Sequence, residues 1–271
     1  MRLYALAVYL FLYLPIGIIA LFSFSAGRSA AQMQGFSLQW YGKALTNPFV
    51  IDALQTSASV AFVSATLASV FGTMAALALS GMKGRLRALF DAMVYIAIMI
   101  PGIVIGIATL IALVTVFDSV NPWLEPLTGL RLSMGFASLT AAHVLFTMSL
   151  VIVLLRARID SLDRSLIEAA GDLGAGPLAT FWQVTLPLLA PAILAGFLLS
   201  FTFSFDDFII AFFVAGSETT LPIYIFSSIR RGVTPEINAI GTMVMAASLL
   251  VLIVAQTILQ RGRRSARPSA E

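Results

Sequence analysis

Apolar residues along the chain gather into six long runs separated by short polar stretches. They cover about 3–24, 54–80, 89–117, 136–155, 189–214 and 239–259. Each is near or above the roughly 20 residues a helix needs to cross a bilayer with all its backbone hydrogen bonds closed internally. The pattern predicts an all-α membrane protein of six transmembrane helices, forming one membrane domain over residues 1–271. In the third run Pro101-Gly102 predicts a kink or a break. In the second, Ser57, Ser64, Ser69 and Gly72 suit close helix packing. The first run follows Arg2 as a signal peptide would. It is longer than the usual apolar core of 7–15 residues and has Pro15 and Gly17 in its middle, which favours an uncleaved span.

Composition supports lipid as the solvent. Apolar residues make up 59% of the 271 and charged residues 11%, with a mean hydropathy of +0.98. A soluble domain carries about 25% charged residues. The net charge of +3 does not point to nucleic acid, because the basic residues sit in short clusters between apolar runs without interleaved aromatics. Their placement instead sets orientation. Arg2, Lys83, Arg85, Arg87, Arg156, Arg158, Arg164, Arg261, Arg263, Arg264 and Arg267 fall on one side. Only Arg28, Lys43, Arg131, Arg230 and Arg231 fall on the other. Both termini, the 81–88 loop and the 156–188 segment are therefore expected in the cytoplasm, with 25–53, 118–135 and 215–238 outside. The tail from Arg261 to Glu271 reads as short, basic and frayed.

The absence of cysteine rules out disulfides, thiol catalysis and thiolate metal sites. The single His143 lies in an apolar run with no partner at metal-ligand spacing, and reads as a packed or lumen-facing side chain. No nucleophile–base or metal set for an intramembrane enzyme is evident. A phosphate-binding loop needs G-x-x-x-x-G-K-[ST]. The sole Gly-Lys pair, Gly42-Lys43, has Ser37 where the first glycine belongs and Ala44 after it. The chain is expected to be no enzyme and to hold no cofactor or metal.

Two segments carry chemistry. Within 156–188, Leu162, Leu166, Ala169, Ala170 and Leu173 recur at helical spacing with charges between them. Asp160 or Ser161 is a candidate N-cap, the 174–177 stretch a stop, and 178–184 a second short helix. The other segment is Phe201-Thr202-Phe203-Ser204-Phe205-Asp206-Asp207-Phe208, inside the fifth run. A carboxylate near the bilayer centre costs about 2.5–3.5 kcal/mol even on an insertion scale, so such residues face a cavity or a partner. On a continuous helix Phe201, Phe205, Phe208 and Phe212 would form one stripe. Ser200, Ser204, Asp207 and Ala211 would form a small polar one lining a path. Which aspartate faces that path stays open, as does the alternative that one caps a helix break or pairs with a neighbouring subunit. An acidic pair flanked by aromatics suits an organic cation.

The loop resembles that of binding-protein-dependent ABC importer permeases: Glu168-Ala169-Ala170, then Gly174 three residues later, then Val184-Thr185-Leu186-Pro187 nine beyond, with Val in place of Ile. Further stretches are similar to spermidine/putrescine-type permeases, specifically the second of the two permeases in such systems. They are Leu12-Tyr13-Leu14-Pro15, Gly35-Phe36-Ser37-Leu38-Gln39-Trp40-Tyr41, Ser204–Phe208, Thr220-Leu221-Pro222-Ile223-Tyr224 and Thr234–Ala239. The resemblance implies a type I importer architecture in the bacterial inner membrane. It implies a coupling helix on which Glu168, Ala169, Ala170, Gly174, Leu186 and Pro187 meet an ATPase subunit, and a substrate path at Asp206 and Asp207, with Ser204 and Phe205 beside them. Implied partners are a second permease forming a heterodimer, two ATPase subunits that bind the ATP and magnesium, and a periplasmic binding protein. The binding protein would dock near Phe36–Tyr41 and around Pro222–Glu236. Polyamine is the expected cargo; an opine, an amino-acid-like compound or a phosphonate is the alternative. An ion-coupled secondary transporter would also use intramembrane aspartates, but has no use for the 168–187 loop.

Overall fold

The computed structural model describes residues 2–28, 32–163 and 165–265. Arg164, counted above among the cytoplasmic charges, and residues 266–271 of the tail lie outside them. The described chain is a series of helices, accompanied by one isolated antiparallel bridge between Ser25 and Phe36. Among the described residues five helices are long and apolar enough to cross a membrane, and the last helix adds a shorter apolar stretch, Pro235–Leu250.

The chain divides into two compact units. The first comprises residues up to Ala53 and from Tyr224 onward. It contains α1 (Arg2–Phe22), α2 (Gln39–Thr46), the start of α3 (Pro48–Gly81), most of α11 (Leu221–Arg231) and α12 (Pro235–Ser265). Both α1 and α2 pack on α12. The connection after α1 is held by aromatics with polar tips, since a buried indole or phenol needs a partner. The Trp40 indole N–H donates to the Ser25 carbonyl at 2.8 Å, and the Tyr41 hydroxyl lies 2.6 Å from the Ser23 hydroxyl. Asn47 donates to the Glu236 carboxylate at 3.0 Å and to the Tyr224 hydroxyl at 3.3 Å, tying the start of α3 to α11 and α12. The apolar side chains of α1 are largely exposed, as suits a helix facing lipid or another subunit. Where fraying was expected from Arg261, α12 continues to Ser265.

The second unit, Leu54–Ile223, is organised around α6 (Phe136–Asp160), the most buried long helix. Val151 of α6 is enclosed by small residues: a β-carbon on Gly72 of α3 would meet it at 2.8 Å, and one on Gly196 at 3.4 Å. Glycine is what lets these backbones approach. At the cytoplasmic end expected for α6, Arg156 makes a bidentate ion pair with Asp91 of α4 (Gly84–Met99), which also pairs with Arg87 at 3.8 Å.

The expected third span, 89–117, is two helices. The helix α4 ends at Met99, and α5 (Gly102–Thr128) starts after Ile100 and Pro101, both extended at ψ 132° and 136°. The residue before a proline is pushed out of the helical region, so the break expected at Pro101-Gly102 is present. The expected 81–88 loop is correspondingly only Met82-Lys83. Within the expected 118–135 loop, α5 instead stays helical to Thr128 despite Pro122 and Pro126. There Asn121 accepts from the Leu132 N–H at 2.8 Å and donates to the Leu132 carbonyl at 3.0 Å, folding the remaining link back on the helix.

Candidate functional site: an acidic pair at a helix break

The expected fifth span, 189–214, also is not continuous. Helix α9 (Leu186–Asp206) stops at the acidic pair, Asp207 is extended at ψ 122°, and α10 (Ile209–Val214) begins two residues later. No proline or glycine marks the break; side chains hold it. The Asp207 carboxylate Oδ2 accepts the Ala211 backbone N–H at 2.9 Å, satisfying one of the orphan donors in the first turn of α10. The break splits the expected Phe stripe into two ladders. Phe197, Phe201 and Phe205 stack along α9 with centroids 6.4 and 5.9 Å apart, while Phe208 and Phe212 pair beyond it at 5.5 Å.

The two aspartates are placed differently. Asp206 is exposed at the last residue of α9, where the helix dipole is negative and disfavours a carboxylate. Asp207 is half-buried and turned toward α6. The small polar stripe expected to line a path instead packs into the protein: Ser200, Ser204 and Ala211 are all buried. Ser204 bonds His143 of α6, and both α9 and α10 pack against that helix. Phe205 is partly exposed beside Asp206.

His143, 1% exposed, meets the site from α6. Its Nδ1 lies 2.7 Å from the Ser204 hydroxyl and its Nε2 3.5 Å from Asp207 Oδ2. Of the two readings above, packed and lumen-facing, the packed one holds. Its partnership with Asp207 was not read from the sequence, although a lone titratable ring in one apolar run and a carboxylate in another are the types that pair inside a membrane.

Helix α10 is fastened at its far end as well. Ser138 donates to the Val214 carbonyl at 2.7 Å. A β-carbon on Gly106 of α5 would lie 2.7 Å from the Phe213 ring and 3.3 Å from the Ile210 backbone. Gly216, at φ +59°, closes the segment where a β-carbon would meet the Met134 carbonyl at 2.5 Å. Neither the left-handed conformation nor the contact with backbone tolerates a side chain. Gly216→Ala is expected to cost about 1–3 kcal/mol, read as reduced membrane abundance and an earlier thermal transition of the purified complex.

The loop residues fall on a surface helix, on the turn that ends it and at the start of α9. Helix α7 (Ser165–Asp172) carries Glu168, Ala169 and Ala170, and none of its residues is buried. Neither Asp160, the last residue of α6, nor Ser161, its C-cap, caps α7. That role falls to Asp163, whose carboxylate accepts the Ser165 N–H at 2.9 Å. The Ser165 hydroxyl and N–H both bond this carboxylate and hold it below its usual range. A depressed carboxyl contributes stability above its unfolded-state value and loses it as pH falls through the folded one, so the cap is fully present at neutral pH. Asp163→Ala is expected to fray α7, measured as faster amide exchange over 166–170.

Gly174 ends α7 at φ +82°. The Ala175 N–H bonds the Ala170 carbonyl at 3.0 Å and the Gly174 N–H bonds the Gly171 carbonyl at 2.9 Å, the paired closure of a Schellman motif. Then α8 (Pro177–Thr180) leads through a π turn, Phe181–Thr185, into Leu186-Pro187 at the start of α9. Pro187 has no N–H to give the preceding turn, and the Leu186 N–H bonds back five residues to Phe181.

Residues 68–265 match the family described as binding-protein-dependent transport system inner membrane component. The chain belongs to this family. It is 37% identical over 257 residues to the putrescine transport system permease protein PotI of Escherichia coli K12, covering 94% of this chain and 88% of that one. It is 36% identical over 255 residues to the spermidine/putrescine transport system permease protein PotC of Haemophilus influenzae, covering 94% of each. In fold it is similar to a chain of a bacterial ABC transporter involved in the import of alginate, with a TM-score of 0.74, 16% identity and coverage of 96% and 94%. A chain of the MetNI methionine ABC transporter gives a TM-score of 0.62 at 16% identity, over 79% of this chain and 95% of that one. The architecture is that of a type I ABC importer permease, an inner-membrane component with several membrane-spanning helices.

Proposed function

We propose that the chain is one of two permeases in an ATP-driven importer of polyamines, with Asp206 as the carboxylate that receives the cationic cargo. The observation that carries this reading is the exposed Asp206 at the end of α9. An ionisable group in an apolar span needs a functional reason, and this one has the stacked Phe197–Phe201–Phe205 ladder beside it. A primary ammonium gains from both a carboxylate and an aromatic face. The names carried by the similar permeases agree with such a cargo.

In this reading the partner is a second, related permease, and two ATPase subunits bind ATP and magnesium and do all the hydrolysis. A periplasmic binding protein delivers the cargo to the outward segments, where Phe36–Tyr41 and 222–236 are the candidate contacts. Both termini and α7 lie in the cytoplasm, as the arginine and lysine distribution implies. On α7 and after it, Leu166, Ile167, Leu173, Leu178 and Trp182 are exposed. Apolar side chains in such a run ask for a partner, and an ATPase subunit would cover them. Closure of the ATPases on ATP would then move 160–186 as a lever, and α9, joined to it through the π turn, would carry the motion to Asp206.

The test is ATPase activity of the purified importer with its binding protein. Loading that protein with putrescine or spermidine is expected to stimulate hydrolysis, and opines and phosphonates are not. Stimulation by an opine or phosphonate alone would keep the importer and overturn the cargo.

A further inference from the structure

We propose that His143 is a positioning residue that divides the acidic pair, holding Asp207 inside the protein so that Asp206 alone is offered to cargo. The inference rests on the cargo role proposed for Asp206. One buried ring touches both sides of the break: Ser204 in the last turn of α9 at 2.7 Å, and Asp207 at 3.5 Å, whose Oδ2 in turn takes the Ala211 N–H of α10 at 2.9 Å. The arrangement asks for the tautomer with its proton on Nε2, facing the Asp207 carboxylate, and with Nδ1 accepting the Ser204 hydroxyl. His143 of α6 and Ser204 of α9 are both buried, so the linked contacts set geometry and offer no reachable nucleophile.

Nothing in the backbone chemistry of 205–209 demands a break, since glycine and proline are absent there. Without the ring, the Asp207 carboxylate keeps the Ala211 N–H as its partner among the described residues, and its side chain can turn outward beside Asp206. Two adjacent exposed carboxylates repel and present a different target from one.

His143 is the only histidine of the chain, which gives the proposal a direct reading. Nitrogen-15 histidine spectra of the whole importer, wild type minus His143→Gln, isolate this one ring. The expected result is a protonated Nε2 signal that moves in Asp207→Asn and stays in place in Asp206→Asn. A signal indifferent to Asp207→Asn, or moved equally by both, overturns the proposal. Uptake supplies the second arm. Gln places an amide nitrogen near the Nε2 position and is expected to keep polyamine uptake within about threefold, whereas Asn reaches only the Nδ1 position and is expected to lose about tenfold or more at equal membrane abundance. Equal losses for Gln and Asn also overturn it. Absence of polyamine uptake by the wild type would sink the cargo reading alone, because the spectra need no cargo.

Discussion

Asp206→Asn is expected to lower Vmax/KM for putrescine and spermidine by about 10–100-fold with membrane abundance unchanged. Two features of the site set that size. Asp206 is exposed and stands at the unfavourable end of the α9 dipole, so removing its charge takes nothing from the fold and relieves a small penalty. The loss should therefore fall on cargo and not on assembly. Asp206→Glu keeps the charge one methylene further out and should recover most of the uptake. The measurement is initial-rate uptake across a concentration series, normalised to protein in the membrane. Unchanged kinetics in Asp206→Asn would remove this residue from the path.

The second large effect belongs to α7. Glu168→Arg is expected to reduce cargo-stimulated ATP hydrolysis by about tenfold or more while the chain still inserts and assembles. Glu168 lies in the first turn of a helix with no buried residue, so reversing its charge acts on a partner surface and leaves the internal packing alone. Gly174→Ala supplies a graded comparison. A β-carbon there meets nothing within 4 Å, so the only cost is the left-handed backbone at φ +82°, about 1 kcal/mol. Partial uncoupling is expected, and ATPase assays with loaded binding protein read both variants. Full stimulation in Glu168→Arg would contradict a coupling role for α7.

Much of this architecture was legible in the sequence, for definable reasons. The long apolar runs translate directly into α1, α3, α6 and most of α9, because a bilayer leaves the backbone little alternative to helix. Pro101 announced the α4–α5 break because proline restricts the residue before it. The loop pattern around Glu168 and Gly174 corresponds to a helix and its left-handed stop, a local arrangement that local sequence can encode. The break after Asp206 entered only as one alternative, an aspartate capping a helix break, and the partners that make it were not legible. It depends on a carboxylate capping α10 and on a histidine 64 positions earlier, a tertiary arrangement without a proline or glycine signal. Ser200, Ser204 and Ala211 are buried where a path-lining face was expected, since helical periodicity groups residues on one face without saying what that face meets. Residues 118–128 were placed in an outward connection because the third apolar run ends at Phe117, yet α5 continues through them and Asn121 satisfies the backbone of the following link.

The most direct test of the account is saturable uptake of radiolabelled putrescine and spermidine in cells lacking their own polyamine importers. The complete importer would be expressed with this chain present or deleted. The account predicts saturable uptake that requires this chain and its binding protein and is abolished when ATP hydrolysis by the partner ATPases is blocked. Equal uptake with and without the chain, or none of either polyamine by the intact importer, would contradict it.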